Sequence, residues 1–280
     1  MYKQLDEFIT YLSSEAGKSD NTCQSYRRDI RQFLDWLYSR YPIQNLNDIA
    51  SEHIEAYAKL LQDSDRSPAT VSRLIASLKA FFSYGQRSGW MSHDPGSVMK
   101  PPKVIKKAPK ILTDTEILRL LSQPETDSAK GIRDKAMLEL LCDTGLRVSE
   151  LIGLQLNDID IHKRRLSVGG SRRRSVIFDR KIVKYLENYI DYARNELIAG
   201  KEDTDSLFVN VSGEEMSRQG FWKIIKKYGD TAGIGKELTP HTLRHSFAAH
   251  ALRSGRNIRE VQKVLGHSDI STTSGYAGLK

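Results

Sequence analysis

The chain has 280 residues, with 43 Lys or Arg against 35 Asp or Glu and a formal net charge of +8. That length predicts two domains rather than one, the positive balance suits a polyanionic partner, and two distant cysteines, Cys23 and Cys142, without metal-ligand spacing, suggest neither a disulfide framework nor a zinc site. No window approaches the roughly 18 apolar residues of a membrane span and the charged N-terminus lacks the apolar core of an export signal, so a cytoplasmic protein without membrane association is expected.

From Leu5 to Trp90 apolar residues recur at helical spacing and predict four helices. The first carries Leu5, Phe8, Ile9 and Leu12. The second opens after Ser19-Asp20-Asn21 and buries Tyr26, Ile30, Phe33, Leu34 and Leu37, leaving Arg27, Arg28 and Arg31 on another face as a candidate grip on phosphates. The third, near residues 51–62, uses Ile54, Tyr57 and Leu61. The fourth starts at Ser67-Pro68, an N-cap followed by proline at the first helical position, and continues through Val71, Leu74, Ile75, Leu78, Phe81 and Phe82. Residues 1–92 therefore read as a small helical bundle with one basic surface.

Residues 93–110 read as a basic, proline-rich linker in extended form. The stretch from Lys100 to Lys110 holds five lysines and no acid, and Lys103, Lys106 and Lys107 are candidates for contact along a nucleic-acid backbone. Residues 111–280 form the second predicted domain. Thr113 and Glu116 have capping-box spacing ahead of a helix through Ile117, Leu118 and Leu121. A second helix covers about 132–142, and after a turn at Gly145 a short helix carries Val148, Leu151 and Ile152, with Arg147 at its mouth.

The apolar period then changes from 3.6 to 2. Residues 165–168 and 175–178 flank Gly169-Gly170-Ser171, which predicts a hairpin that points Arg172, Arg173 and Arg174 outward toward a polyanion. Helices follow near 180–197, 217–232, 239–253 and 258–265, with a short strand at 207–209. The fold class is mainly α: a helical bundle, then a mostly helical α+β domain with a small antiparallel sheet.

Five residues suggest chemistry. His241 and Arg244 stand three apart on one predicted helix, so both project from one face. A guanidinium forks onto two phosphate oxygens and stays charged, and Arg147 would supply a second. Cations placed around a five-coordinate phosphorus stabilise its developing charge, and no Asp/Glu cluster suitable for magnesium is evident, so no metal or other cofactor is expected. Tyr276 would attack the phosphodiester and conserve the bond as a phosphoryl-enzyme. His241 and His267 would donate hydrogen bonds or move the phenol proton. Each residue alone is ordinary, since the chain has 12 tyrosines; the ordered set carries the reading.

The stretches DTGLRVSELIGLQLNDID, LTPHTLRHSFAAHAL and VQKVLGHSDISTTSGY, in this order behind a helical bundle, resemble the tyrosine recombinase (phage integrase-like) family, and within it the bacterial Xer type. The resemblance implies a SAM-like core-binding domain followed by a catalytic domain. Arg147 and Arg244 would hold the scissile phosphate, His241 and His267 would assist, and Glu150 would support the site. Tyr276 would form a 3′-phosphotyrosine. The implied partners are double-stranded DNA carrying a specific site and a homo- or hetero-tetramer of recombinase protomers.

The chain departs from the family pattern in the hairpin loop. Relatives carry a lysine there that protonates the departing 5′ oxygen, whereas this loop reads GGSRRR, with Gly170 or Ser171 in its place. A catalytically weakened relative that occupies recombination sites is therefore the alternative expectation.

Overall fold

A computed structural model describes residues 1–102, 108–169, 173–202, 204–235 and 238–278. The chain divides into two compact units, residues 1–106 and 107–280. No helix among the described residues is long and apolar enough to cross a membrane.

The first unit is built on α1 (Tyr2–Ser14), α2 (Asp20–Arg40), α3 (Ser51–Gln62) and α4 (Pro68–Arg87). Local chemistry sets two of the starts. Ser19 and Ser67 accept hydrogen bonds from the backbone of Thr22 and Thr70, and Pro68 occupies the first turn of α4, where its missing N–H costs nothing. The helices close on a core that includes Leu5, Phe8, Ile30, Phe33, Tyr57, Leu78, Phe81 and Phe82.

The segment after α4 differs from the extended linker expected. Residues Pro95–Val98 form a 3-10 turn, and Met91 and Met99 enter the core of the first unit. Lys79 donates to the carbonyl of Met99 at 3.3 Å and Ser72 to that of Pro102 at 3.2 Å. Two apolar side chains spaced across a proline turn outweigh the polar composition around them. Lys103, Lys106 and Lys107 lie outside the described residues.

On α2, Arg27 pairs with Asp6, Arg31 lies 5.7 Å from the centroid of the Tyr2 ring, and Arg28 is exposed. Two of the three arginines expected to face phosphate thus already have a partner on α1.

The second unit contains α5 (Asp114–Leu121), α6 (Ala129–Thr144), α7 (Val148–Ile152), a three-stranded antiparallel sheet, and then helices to its end. The Thr113/Glu116 capping box is formed. Strands β1 (Ile159–Asp160), β2 (Arg165–Val168) and β3 (Arg174–Ile177) lie in sequence order, with Leu166 opposite Val176. Helices α8 (Arg180–Asn188) and α9 (Arg194–Ile198) are joined without a break by a π-type turn at Tyr189–Ala193. The strand expected at 207–209 is reduced to single bridges, Gln155 with Ser206 and Val209 with Glu215. Its other hydrogen bonds go elsewhere, and the Tyr189 hydroxyl accepts from the backbone of Val209 at 3.1 Å.

Helices α10 (Arg218–Thr231), α11 (Pro240–Arg253), α12 (Ile258–Leu265) and α13 (Ile270–Ser274) complete the unit. The last was not expected from periodicity; Asp269 caps it by accepting from the backbone of Ser271 at 2.8 Å.

Candidate active site

The site is assembled on the C-terminal end of α12. The last carbonyls of a helix have no partner within it and carry the negative end of its dipole. Here three consecutive carbonyls each accept from a different arginine. Arg174 Nε donates to Val264 at 2.8 Å, Arg244 Nη2 to Leu265 at 2.6 Å, and Arg147 Nη2 to Gly266 at 3.0 Å.

Arg147 is the N-cap residue of α7. Its backbone N–H donates to Glu150 Oε2 at 2.8 Å and its Nη1 to Glu150 Oε1 at 3.0 Å. Arg174 holds the same carboxylate through Nη1 at 2.7 Å and Nη2 at 2.9 Å. Burial pushes the Glu150 carboxyl up, but the Arg174 hydrogen bonds, the Arg147 backbone N–H and the charges of both arginines outweigh it and hold the carboxyl below its ordinary range. Glu150 is therefore the ionised tie between the two cations.

Arg174 is thus a correction to the sequence reading. It begins β3, but its side chain is only 13 % exposed and turns inward to Glu150 and α12. The fork of a guanidinium matches a carboxylate in two parallel bonds, which an outward-facing loop position would forgo. Arg173 does face outward, with Asp158 at 3.4 Å. Arg172, Gly170 and Ser171 lie outside the described residues.

Arg244 projects from α11 and is buried. Its Nη1 donates to the carbonyl of Gly145 at 2.6 Å, so it links the ends of α6 and α12. Both of those ends turn on a glycine with positive φ, +60° at Gly145 and +64° at Gly266. A Cβ at Gly145 would lie 2.4 Å from the Phe247 ring, and one at Gly266 would lie 3.0 Å from the Arg174 guanidinium. Burial, and next the charge of Arg147, pull the Arg244 guanidinium down to about 10, which leaves it cationic at neutral pH.

Tyr276 follows α13, its backbone N–H donating to the carbonyl of Thr273 at 3.1 Å. Its side chain is 7 % exposed and packs with Phe247, Ala248, Ala251, Val261 and Leu265. Burial raises the phenol above its ordinary pKa, against the opposing charge of Arg244. The hydroxyl lies 2.8 Å from Nδ1 of His245.

His267 sits just beyond Gly266, with Nδ1 3.0 Å from the buried Thr273 hydroxyl. Burial first, and then Arg244, Arg147, His245 and Arg174, pull its pKa down to about 4. Its ring centroid is 6.3 Å from that of Tyr276. His241 is exposed at the start of α11, with its ring 6.2 Å from that of His245.

Arg147, Arg244, His267 and Tyr276 are thus joined through α12 and its packing, and His241 reaches them through His245. Sequence reasoning missed His245, Thr273 and the inward role of Arg174. For His245 a signal existed, because it stands four residues after His241 and shares its helix face.

Residues 110–280 match the phage integrase family and residues 5–89 the phage integrase N-terminal SAM-like domain. The tyrosine recombinase XerD of Listeria monocytogenes is 39% identical over 274 residues, which cover 97% of this chain and 92% of that protein. The crystal structure of XerA recombinase is 30% identical with a TM-score of 0.56, covering 100% of this chain and 94% of that one. XerH bound to its difH substrate in a pre-cleavage complex shares the fold, with a TM-score of 0.74 at 20% identity over 92% of this chain and 76% of that one. On this evidence of sequence across nearly the whole chain, the protein belongs to the phage integrase family of tyrosine recombinases.

Proposed function

We propose that this chain cleaves and rejoins duplex DNA at a specific site, with Tyr276 as the nucleophile and a 3′-phosphotyrosine as the intermediate. Arg147 and Arg244 hold the nonbridging oxygens of the scissile phosphate, His241 and His267 hydrogen-bond to it, and Glu150 keeps Arg147 in place. In the forward step the Tyr276 oxygen bonds to phosphorus as the bond to the 5′ oxygen breaks. The phenol loses one proton and the 5′ oxygen gains one. In the return step a 5′ hydroxyl of another strand displaces the tyrosine, so the bond is conserved without ATP.

One observation carries this reading. The guanidiniums of Arg147 and Arg244 are held on adjacent carbonyls of the helix end that leads directly to His267 and Tyr276. Two fixed cations beside a buried phenol suit phosphoryl transfer, in which charge grows on the equatorial oxygens.

The bundle of residues 1–92 and the domain of residues 111–280 bind the same duplex, joined through residues 93–110. Lys103, Lys106, Lys107, Arg27, Arg28, Arg31, Arg172 and Arg173 contact its backbone, and protomers pair as tetramers on two sites. Such a protein works where chromosomal DNA is, in the cytoplasm.

A nicked suicide duplex carrying the site is expected to trap wild-type protein as a covalent adduct on denaturing gels. Tyr276→Phe is expected to lose the adduct and keep DNA affinity within about twofold, since one buried hydroxyl is removed and no phosphate contact. An adduct that survives in Tyr276→Phe would refute the assignment. A footprint with no adduct from wild-type protein would favour the catalytically weakened DNA-binding relative.

A further inference from the structure

The structure assigns His245 to the reaction as the group that accepts the Tyr276 phenol proton, an inference that rests on Tyr276 being the nucleophile as proposed above. Its Nδ1 lies 2.8 Å from the phenol oxygen, within direct transfer distance. The competing imidazoles are less well placed. His267 directs Nδ1 to Thr273, and His241 has its ring 6.2 Å from His245 rather than on the phenol.

The surroundings of His245 keep it in the form an acceptor requires. Tyr276 and His267 face it from the C-terminal segment, and His241 and Arg244 from its own helix. Burial, and then the charges of His241 and Arg244, lower its pKa, so the imidazole is neutral at neutral pH with one nitrogen lone pair available. With the other nitrogen protonated, Nδ1 accepts from the phenol. As the oxygen–phosphorus bond forms, the phenol O–H breaks and its proton passes to Nδ1. The proton then leaves toward the exposed His241 and solvent, and the departing 5′ oxygen takes one from solvent, so the count balances.

This step can be isolated from leaving-group protonation. A suicide duplex built on the site that the chain protects from nuclease, with sulfur replacing the bridging 5′ oxygen, departs without an acid because a thiolate is a good leaving group. With this probe the wild-type single-turnover adduct rate is expected to be flat between about pH 7 and 9. In His245→Ala and His245→Asn the rate at pH 7 is expected to fall by roughly 10²–10⁴-fold and to climb about tenfold per pH unit, since the phenol must then ionise unaided.

Asn places an amide oxygen where Nδ1 stands, so it keeps the hydrogen bond but takes no proton. A wild-type rate and flat profile in His245→Asn would overturn proton acceptance and leave only positioning. In the free full-length protein labelled with 3-fluorotyrosine, the fluorine resonance lost in Tyr276→Phe is expected to shift in His245→Ala. No shift would overturn the contact itself. Absence of any adduct from wild-type protein would instead defeat the nucleophile reading, and this assignment with it.

Discussion

His267 is held at about 4 by burial and by the charges of Arg244, Arg147, His245 and Arg174, so in the proposed reaction it would meet the phosphate as a neutral imidazole. It would then contribute a directed N–H rather than a full charge, and the cationic work would fall to Arg147 and Arg244. The depressed value also links folding to pH. An unfolded imidazole takes its proton near pH 6.5, whereas the folded one resists down to about 4. The contribution of His267 to stability is therefore complete above about pH 6.5 and is lost as pH falls toward 4. Urea midpoints are expected to drop between pH 7 and 5 in the wild type and to drop less in His267→Gln; equal drops would contradict this environment.

At the scale of elements, the end of α12 decides how the site is spaced, and Gly266 is its most sensitive point. Its positive φ disfavours any side chain by about 1–2 kcal/mol, and a Cβ there presses on Arg174, which grips Glu150 and through it Arg147. Gly266→Ala is expected to cost about 1–2 kcal/mol in chemical denaturation and to slow adduct formation more than tenfold. Gly200→Ala is the control, since Gly200 shares a positive φ but has open space around it. It is expected to show comparable strain and an unchanged rate. An unchanged rate in both variants would show that Arg174 does not position Arg147.

The same contrast separates what was legible in the sequence from what was not. Ser19, Ser67 and Thr113 announce their helices because a cap bonds two or three residues away. The periodic faces of α2 and α4 are equally local. Arg174 read as one more outward cation because its partners lie 24 and 90 residues away. Met91 and Met99 read as linker for a related reason, since two apolar residues are too few to show a period. Four of the five proposed catalytic side chains converge because motif order reflects chemistry, but the carbonyls that fix their spacing have no letter in the sequence.

For the whole molecule, a net charge of +8 with basic residues gathered in 100–110 and 163–174 implies binding that is governed by counterion release. The logarithm of the association constant is expected to fall linearly with the logarithm of salt concentration. Replacing Lys103, Lys106 and Lys107 with glutamine is expected to reduce that slope by up to about 2.7, at roughly 0.9 per phosphate contact. The loss is expected to be uniform across DNA sequences, because phosphate contacts carry no base information. An unchanged slope in fluorescence anisotropy titrations would remove these lysines from the DNA interface.

Three arginines anchored on consecutive carbonyls of one helix end make the spacing of the site a matter of covalent chain length rather than of side-chain fit. A side chain packed around α12 can be exchanged for another of similar size while the peptide units at 264, 265 and 266 keep their separation. A single inserted or deleted residue in that stretch is different, since it rotates every later carbonyl by about 100° around the helix axis. One residue inserted or deleted there would therefore break the register of all three arginines at once, whereas a same-size exchange elsewhere in α12 would leave it intact.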